Sequence, residues 1–386
     1  MENLRLLRLA PSGSLSAIYN KFGNFDIFFH DVIDDFSEFN IRICPCGTFN
    51  GKFWFNDKFF MYEIFSKNLF LRFVKLFFKT LVLAKKYKIN VIHSNDIYFY
   101  GFVMLIISKL LNCPFCVSIH ADYDKRNELQ DNVIPKFSGS KTLSILLERI
   151  IYKYADKILP IRESLRDNLI KKGCETSKIR LFPHGINLDY FRFQLDIDIY
   201  SFLNLPEDSV IISSASRLER ENYCYDLLEI ALNCIRNNSN IYVIICGDGK
   251  EYQNMKKLIE ESGYKNRISM PGFIESKFLA QLRKDSYINL VLMGGYSLIE
   301  ACASGRPVIS YEVEWHYELV QNNKTGYLVS ENDINTVLKR IQYLLEHSKE
   351  ATLLGDNAQK LAFDNFSIES SNNIKKEIYM ELLNDT

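Results

Sequence analysis

The chain carries no net charge, since 47 lysines and arginines balance 47 aspartates and glutamates among 386 residues. Nothing in that balance calls for a nucleic-acid partner, and none is expected. A long apolar run is also missing. The longest, Ile97 to Ile107, is too short to span a bilayer. Met1-Glu2-Asn3 offers no basic start followed by an apolar run, so no signal peptide is expected. There is no internal repeat and no low-complexity linker. The nine cysteines are an odd number, scattered mostly in apolar segments such as Ile244-Ile245-Cys246. That pattern argues against a disulfide scaffold and for a reducing cytoplasm. Cys113-Pro114-Phe115-Cys116 has the CxxC spacing but runs into Val117-Ser118-Ile119, which favours a buried strand over a redox or zinc site.

What is present points to two domains, because 386 residues exceed one ordinary core. The zero charge hides an asymmetry. Residues 1–190 hold 27 Lys+Arg against 19 Asp+Glu, and residues 191–386 hold 20 against 28. A basic first half suits an anionic partner, either phosphate groups or a membrane surface.

From residue 90 onward short apolar runs alternate with amphipathic segments. Asn90–His93, Phe115–Ile119, Lys157–Pro160 and Lys178–Phe182 read as strands, with helices over Thr142–Tyr154 and Ser164–Lys172. Val210–Ser213, Ile241–Ile245, Arg267–Met270 and Tyr287–Val291 continue the series. Continuous apolar strands separated by helices imply parallel sheets covered on both faces. Each half therefore reads as a doubly wound α/β domain, with a joint over 192–207.

The most informative stretch is Gly294-Gly295-Tyr296-Ser297-Leu298-Ile299-Glu300, which runs through Ser304-Gly305 into Arg306-Pro307-Val308-Ile309. Glycines at a helix start let backbone amides reach a phosphate, and the helix dipole favours its charge. A carboxylate further along, Glu300, is suited to ribose hydroxyls. The segment resembles the signature of retaining glycosyltransferases of family 4, which use nucleotide-sugar donors. That resemblance implies the GT-B architecture: two Rossmann-like domains facing a cleft, with a C-terminal helix crossing back to the first. The expected parts are an acceptor domain over 1–191, a nucleotide-sugar domain over 192–365, and the returning helix over 366–386.

The donor side follows from the same resemblance. Ser216-Arg217-Leu218 resembles the family's Gly-Arg-Leu, whose Arg grips the diphosphate, and a guanidinium fork suits phosphate oxygens. The family's next phosphate ligand, a Lys, is missing, because the stretch reads Glu221-Asn222-Tyr223; Arg220 is near enough to substitute. Cys246-Gly247-Asp248-Gly249 resembles a Gly-Asp-Gly turn, and Gly272-Phe273 sits where the family's loop meets the base. The first of two glutamates common in the family is absent, since position 292 is Leu. Glu312-Val313-Glu314-Trp315-His316 resembles a family branch with a Glu-Trp-His segment, so Glu314 or His316 is expected to contact the donor sugar instead. The expected donor-binding set is thus Gly13, Arg217, Arg220, Gly272, Phe273, Gly294, Gly295, Tyr296, Ser297, Leu298 and Glu300. Gly13, in Pro11-Ser12-Gly13-Ser14, stands for the glycine loop of the first domain.

On the acceptor side, His120 ends the strand Val117-Ser118-Ile119. It is expected, with Arg217 and Glu300, to act in catalysis by touching a donor hydroxyl or orienting the acceptor. His93 and Asp122 are further candidates there. Pro183-His184-Gly185-Ile186-Asn187 replaces the family's Pro-Asn-Gly-Val-Asp and reads as a structural turn. Asp122-Tyr123-Asp124 has carboxylates able to hold a metal, but a helix N-terminus and an arginine already offset a diphosphate, so no metal and no cofactor are expected. Between Ile64 and Asn95 there is no acidic residue. Arg72, Lys75 and Lys79 share a helical face among many apolar residues. Residues 64–88 therefore read either as a basic amphipathic helix for an anionic membrane, or as a helix with its apolar side in the core.

The expected activity is retaining, metal-independent transfer of a hexose from a nucleoside-diphosphate sugar to a glycan or lipid-linked acceptor. The place is the cytoplasm, at the inner face of the cell membrane, in cell-surface polysaccharide synthesis. The alternatives are an idle subunit of a glycan assembly complex and a nucleotide-sugar epimerase of the same architecture.

Overall fold

The computed structural model describes residues 4–9, 37–120, 141–193, 195–238 and 240–384. Two of the expected site residues, Gly13 and Asp122, lie outside the described residues. The chain divides into two compact units, Met1–Gly185 with Ser371–Thr386, and Ile186–Ser370. The boundary thus differs from the expected 191/192. Ile186, Leu188 and Phe191 pack with Val291, Leu298, Trp315 and Phe366 in one core, and the Ile186 N–H donates to the Phe366 carbonyl at 2.9 Å. Apolar side chains, rather than the polar stretch after them, decide where the second unit begins.

The first unit has strands β1 (Arg5–Leu9), β2 (Phe39–Cys44), β3 (Gly51–Asn56), β4 (Phe59–Glu63), β5 (Val91–Ser94), β6 (Phe115–Ile119) and β7 (Lys157–Pro160). Its helices are α1 (Leu69–Lys86), α2 (Phe99–Leu111), α3 (Lys141–Tyr154) and α4 (Glu163–Lys171). The strand order is β3-β4-β2-β1-β5-β6-β7. Every pairing is parallel except β3 on β4. The expected strand over Lys178–Phe182 is reduced to hydrogen bonds from Arg180 and Phe182 N–H to the carbonyls of Ile158 and Pro160. Pro160 has no N–H with which to answer, so the ladder does not continue.

Helix α1 has two apolar sides, one in the core as in the second of the two readings and one exposed. Leu76, Leu83 and Ala84 are buried in the first core, while Phe70, Leu71, Phe78 and Val82 are exposed. Asn68 caps it by accepting the Leu71 N–H at 3.1 Å. Arg72 is not a surface cation of this helix. Its guanidinium donates to the Ser66 carbonyl at 2.7 Å and turns toward Cys46. Lys75, Lys79, Lys85 and Lys86 remain exposed. No helix among the described residues is long and apolar enough to cross a membrane.

The second unit begins with the short helices α5 (Asp189–Arg192) and α6 (Ile199–Leu203). It then alternates β8 (Val210–Ala215), α7 (Cys224–Asn237), β9 (Ile241–Cys246), α8 (Tyr252–Glu261), β10 (Ile268–Gly272), α9 (Ser276–Asp285), β11 (Ile288–Val291), α10 (Tyr296–Ala303), β12 (Val308–Tyr311) and β13 (Gly326–Val329). The order β10-β9-β8-β11-β12-β13 is wholly parallel. Chain direction across the sheet therefore reverses between β8 and β11, the place where doubly wound sheets bind ligands at their carboxyl ends. Helices α11 (Ile334–Glu346) and α12 (Ser348–Phe366) follow. A Cβ on Gly355 of α12 would lie 2.2 Å from the Gly305 carbonyl, so glycine there lets α12 lie close against the end of α10.

The last helix, α13 (Ile368–Asn384), enters the first unit. Ile378, Tyr379 and Leu382 are buried there against Leu6, Val91, Cys116, Leu159 and Phe182. Fully burying one such side chain contributes roughly 1.5–3 kcal/mol, enough in sum to hold the segment.

Candidate active site

The carboxyl ends of β8 and β11 bring together the residues that the sequence singled out for the donor. β8 leads into Ser216-Arg217-Leu218. Leu218 is buried, and its N–H donates to the Asp248 carbonyl at 3.0 Å. The two glycines around Asp248 are needed for that approach. A Cβ on Gly247, at φ +122°, would meet the Ser216 carbonyl at 1.9 Å, and one on Gly249 would meet the Leu218 carbonyl at 2.4 Å. Gly247 N–H in turn donates to the Gly272 carbonyl at 2.8 Å, which ties in the loop after β10. Phe273 follows with its ring 86% exposed. Arg217 is exposed and makes no salt bridge among the described residues. Arg220, by contrast, is engaged. Its Nε donates to Glu251 at 3.1 Å and its guanidinium lies 5.2 Å from the Tyr225 ring centre. Glu251 is held down to about 2 by the Tyr225 hydroxyl first, then by Asn254 and Arg220. Arg220 as a substitute for the missing lysine would have to leave that carboxylate.

After β11, Leu292 is buried at the position of the absent first glutamate. Gly294 and Gly295 then open α10. A Cβ on Gly294 would lie 2.8 Å from a Val291 methyl, so a larger residue there would have to displace that side chain. His316, expected to touch the donor sugar, does something else. It is fully buried, and its Nδ1 lies 2.6 Å from the Ser310 hydroxyl. Ser310 Oγ also lies 2.7 Å from the Val291 carbonyl. On the other side of the ring, Nε2 lies 3.0 Å from the Gly294 carbonyl and 3.2 Å from its N–H, so the histidine ties Ser310 to Gly294 in either tautomer. His316 thus braces the glycine loop from behind. Trp315 is also buried, against Phe366. Glu314 alone of that trio is exposed, with φ +46°.

On α10, Ser297 Oγ donates to the Ala215 carbonyl at the end of β8, which pins the first turn of the helix beside the Arg217 loop. Glu300 lies one turn on with its side chain 30% exposed. Its Oε2 is 3.4 Å from Nη2 of Arg283, and that same nitrogen is 2.9 Å from Ser297 Oγ. Arg283 is 1% exposed, and the sequence reading overlooked it. An arginine near the end of an amphipathic helix gives no sign that it points inward. Burial pulls its pKa below the usual arginine value, and Glu300 pulls it back. The neighbouring thiols of Cys246 and Cys302 are pushed up to about 12 by burial and stay neutral.

In the first unit, His120 stands at the end of β6, and its Nδ1 lies 3.0 Å from Nε2 of His184. His120 Nε2 is buried without a hydrogen-bond partner among the described residues. Desolvation lowers His120 to about 4, with Arg8 adding to it. It lowers His184 to about 3, with His120, Lys375, Arg162 and Arg8 contributing. His184, read from sequence as part of a turn, is the side chain that orients His120. His93 is no substrate group. It is buried between the Tyr379 hydroxyl at 2.6 Å and the Ser118 hydroxyl at 2.7 Å, so both ring nitrogens are occupied.

Two doubly wound sheets, parallel but for the edge strand β3, one carrying a glycine-opened helix beside an arginine loop at its switch point, define the GT-B class of glycosyltransferase folds. Comparison with known proteins agrees. Residues 198–361 match the model of the glycosyl transferases group 1 family and residues 46–190 that of Glycosyltransferase Family 4. The chain belongs to glycosyltransferase family 4. Among similar proteins is alpha-monoglucosyldiacylglycerol synthase of Acholeplasma laidlawii, 20% identical over 71% of each chain. Another is the capsular polysaccharide biosynthesis glycosyltransferase CapM of Staphylococcus aureus, 24% identical over 58% of this chain and 60% of that one. The structure of HepE from Anabaena in complex with UDP shares the fold at TM-score 0.73 and 16% identity, over 98% of this chain and 100% of the other. Across the curated relatives the matched stretch ranges from 33% to 74% of the relative's own length, and it is 33% and 48% for two of the first three.

Proposed function

We propose that this chain is a retaining, metal-independent glycosyltransferase that moves a sugar from a nucleoside diphosphate to a glycan or lipid-linked acceptor. The observation that supports it most is the convergence at one switch point of the exposed Arg217, the helix start at Gly294-Gly295 and the partly exposed Glu300. In this reading Arg217 and the first turn of α10 hold the diphosphate and stabilise its charge as it departs. Glu300 takes the ribose hydroxyls, exposed Phe273 offers a face to the base, and Glu314 meets the donor sugar. His120, at the carboxyl end of β6, orients the acceptor. Sugar transfer to the same face of the donor needs no enzyme nucleophile. Diphosphate charge is met by the arginine and the helix, which leaves no task for a metal.

UDP, the nucleotide in the HepE structure, is the first base to try. The names of the two sequence relatives above favour acceptors of cell-surface synthesis, one a lipid and one a polysaccharide. The exposed apolar and basic side of α1 suits contact with an anionic membrane surface, which would place the chain at the inner face of the cell membrane. The test is release of nucleoside diphosphate from UDP-, GDP- and ADP-sugars, with diacylglycerol or glycan acceptors, for the wild type, Arg217→Ala and Glu300→Gln. Turnover by the wild type with at least a hundredfold loss in Arg217→Ala is expected, the scale of removing one preorganised transition-state donor. No turnover with any donor would favour an idle subunit, the reading suited to the missing lysine at Asn222 and glutamate at Leu292.

A further inference from the structure

Arg283 is a cation that stability alone does not explain. It occupies the last turn of α9, is 1% exposed, and its Nε is buried without a hydrogen-bond partner among the described residues. Taking a guanidinium out of water is costly unless it is fully paired, and an apolar side chain of similar volume usually serves a core as well or better. Glu300 is its single salt-bridge partner among the described residues, and that carboxylate is itself partly open to solvent. A buried charge whose main anion faces outward is arranged for the anion's benefit.

The surroundings hold Arg283 in place. Its backbone carbonyl accepts from Asn289 Nδ2 at 3.2 Å. Asn289 on β11 also meets Ser213 of β8 at 2.9 Å and Ser304, just beyond α10, at 3.1 Å. The end of α9, the two strands of the switch point and the end of α10 are thus one hydrogen-bonded unit. From that anchor one nitrogen of Arg283 reaches both Ser297 and Glu300, three residues apart on the same face of α10. Ser297 in turn holds the Ala215 carbonyl next to the Arg217 loop. Glu300 Oε2 is tied inward while the side chain stays 30% exposed.

We infer that Arg283 is a positioning residue of the donor site, fixing the Glu300 carboxylate toward the ribose hydroxyls of the nucleotide. The inference rests on the reading of Glu300 as the ribose ligand. A long carboxylate side chain at a partly open position would otherwise sample several rotamers and lose part of its hydrogen-bond gain to ordering entropy on binding. Arg283 removes that loss beforehand.

The experiment is calorimetric titration of UDP and of 2′,3′-dideoxy-UDP into the wild type, Arg283→Met, Arg283→Lys and Glu300→Gln, with thermal melts of each. The wild type is expected to prefer UDP by roughly tenfold or more, the scale of a hydrogen bond to a charged group. Glu300→Gln and Arg283→Met are both expected to erase most of that preference while leaving dideoxy-UDP binding unchanged. Arg283→Lys, which keeps the charge without the fork, is expected to fall between. A merely structural arginine would weaken both nucleotides alike or lower the melting temperature without touching their ratio. Loss of the preference in Glu300→Gln with its retention in Arg283→Met and Arg283→Lys overturns the inference alone. Retention of the preference in Glu300→Gln overturns the ribose reading, and the inference with it.

Discussion

The paired histidines His120 and His184 show how one side chain can set the state of another. Both are kept neutral by burial, and cations at Arg8, Arg162 and Lys375 make a second positive charge still less welcome. The consequence for stability has a definite sign. Their folded pKa values, about 4 and about 3, lie below the unfolded value of about 6.5. Above pH 6.5 both states are neutral and nothing is lost. As pH falls from there toward 4 the unfolded chain takes up protons that the folded chain refuses, and stability drops. Each such histidine costs about 2 kcal/mol by pH 4.5. His184→Asn removes one of them while keeping a polar partner for His120. Urea unfolding at pH 7 and pH 4.5 is therefore expected to show the variant losing about 2 kcal/mol less than the wild type over that interval. An identical loss in both would contradict the neutral pair.

Helix α1 carries a prediction that no single residue does. Its core side is ordinary, but Phe70, Leu71, Phe78 and Val82 stay exposed beside Lys75, Lys79, Lys85 and Lys86. A lysine near an anionic surface contributes about 1 kcal/mol, so Lys75→Glu with Lys79→Glu should weaken binding to phosphatidylglycerol vesicles by roughly thirtyfold or more. Cosedimentation checks this, with phosphatidylcholine vesicles expected to bind neither protein. Equal binding of wild type and variant to anionic vesicles would remove the helix from the membrane account. The elements themselves were largely legible in the sequence, because buried parallel strands are short apolar runs that name themselves: β5, β6, β7, β8, β9 and β11 all fall where the apolar runs lie. Lys178–Phe182 misled because pattern alone does not reveal that Pro160 beside it cannot return a hydrogen bond. The site was legible where backbone geometry demands a residue type, as at Gly247 and Gly249. It was hidden where the role depends on which way a side chain turns. His316 and His93 point into the protein, Arg72 folds back onto Ser66, and Arg283 runs inward from a helix that looked amphipathic.

Taken together, each unit repeats one device, a doubly wound sheet whose strand order reverses at its centre, and each places its chemistry at carboxyl strand ends. In the second unit that device brings the Arg217 loop beside the start of α10, where we propose a nucleoside diphosphate binds. In the first it leaves a neutral histidine whose buried Nε2 has no hydrogen-bond partner among the described residues. The central claim is that the second unit binds a nucleoside diphosphate through Arg217 and the start of α10. It is tested most directly by thermal unfolding of wild type and Arg217→Ala with UDP, GDP and ADP. A ligand present at about a hundred times its dissociation constant adds roughly 2.7 kcal/mol to stability. One nucleotide is expected to stabilise the wild type by that much, seen as a higher midpoint, and to leave Arg217→Ala nearly unmoved. No rise with any of the three, or an equal rise in the variant, would contradict the claim.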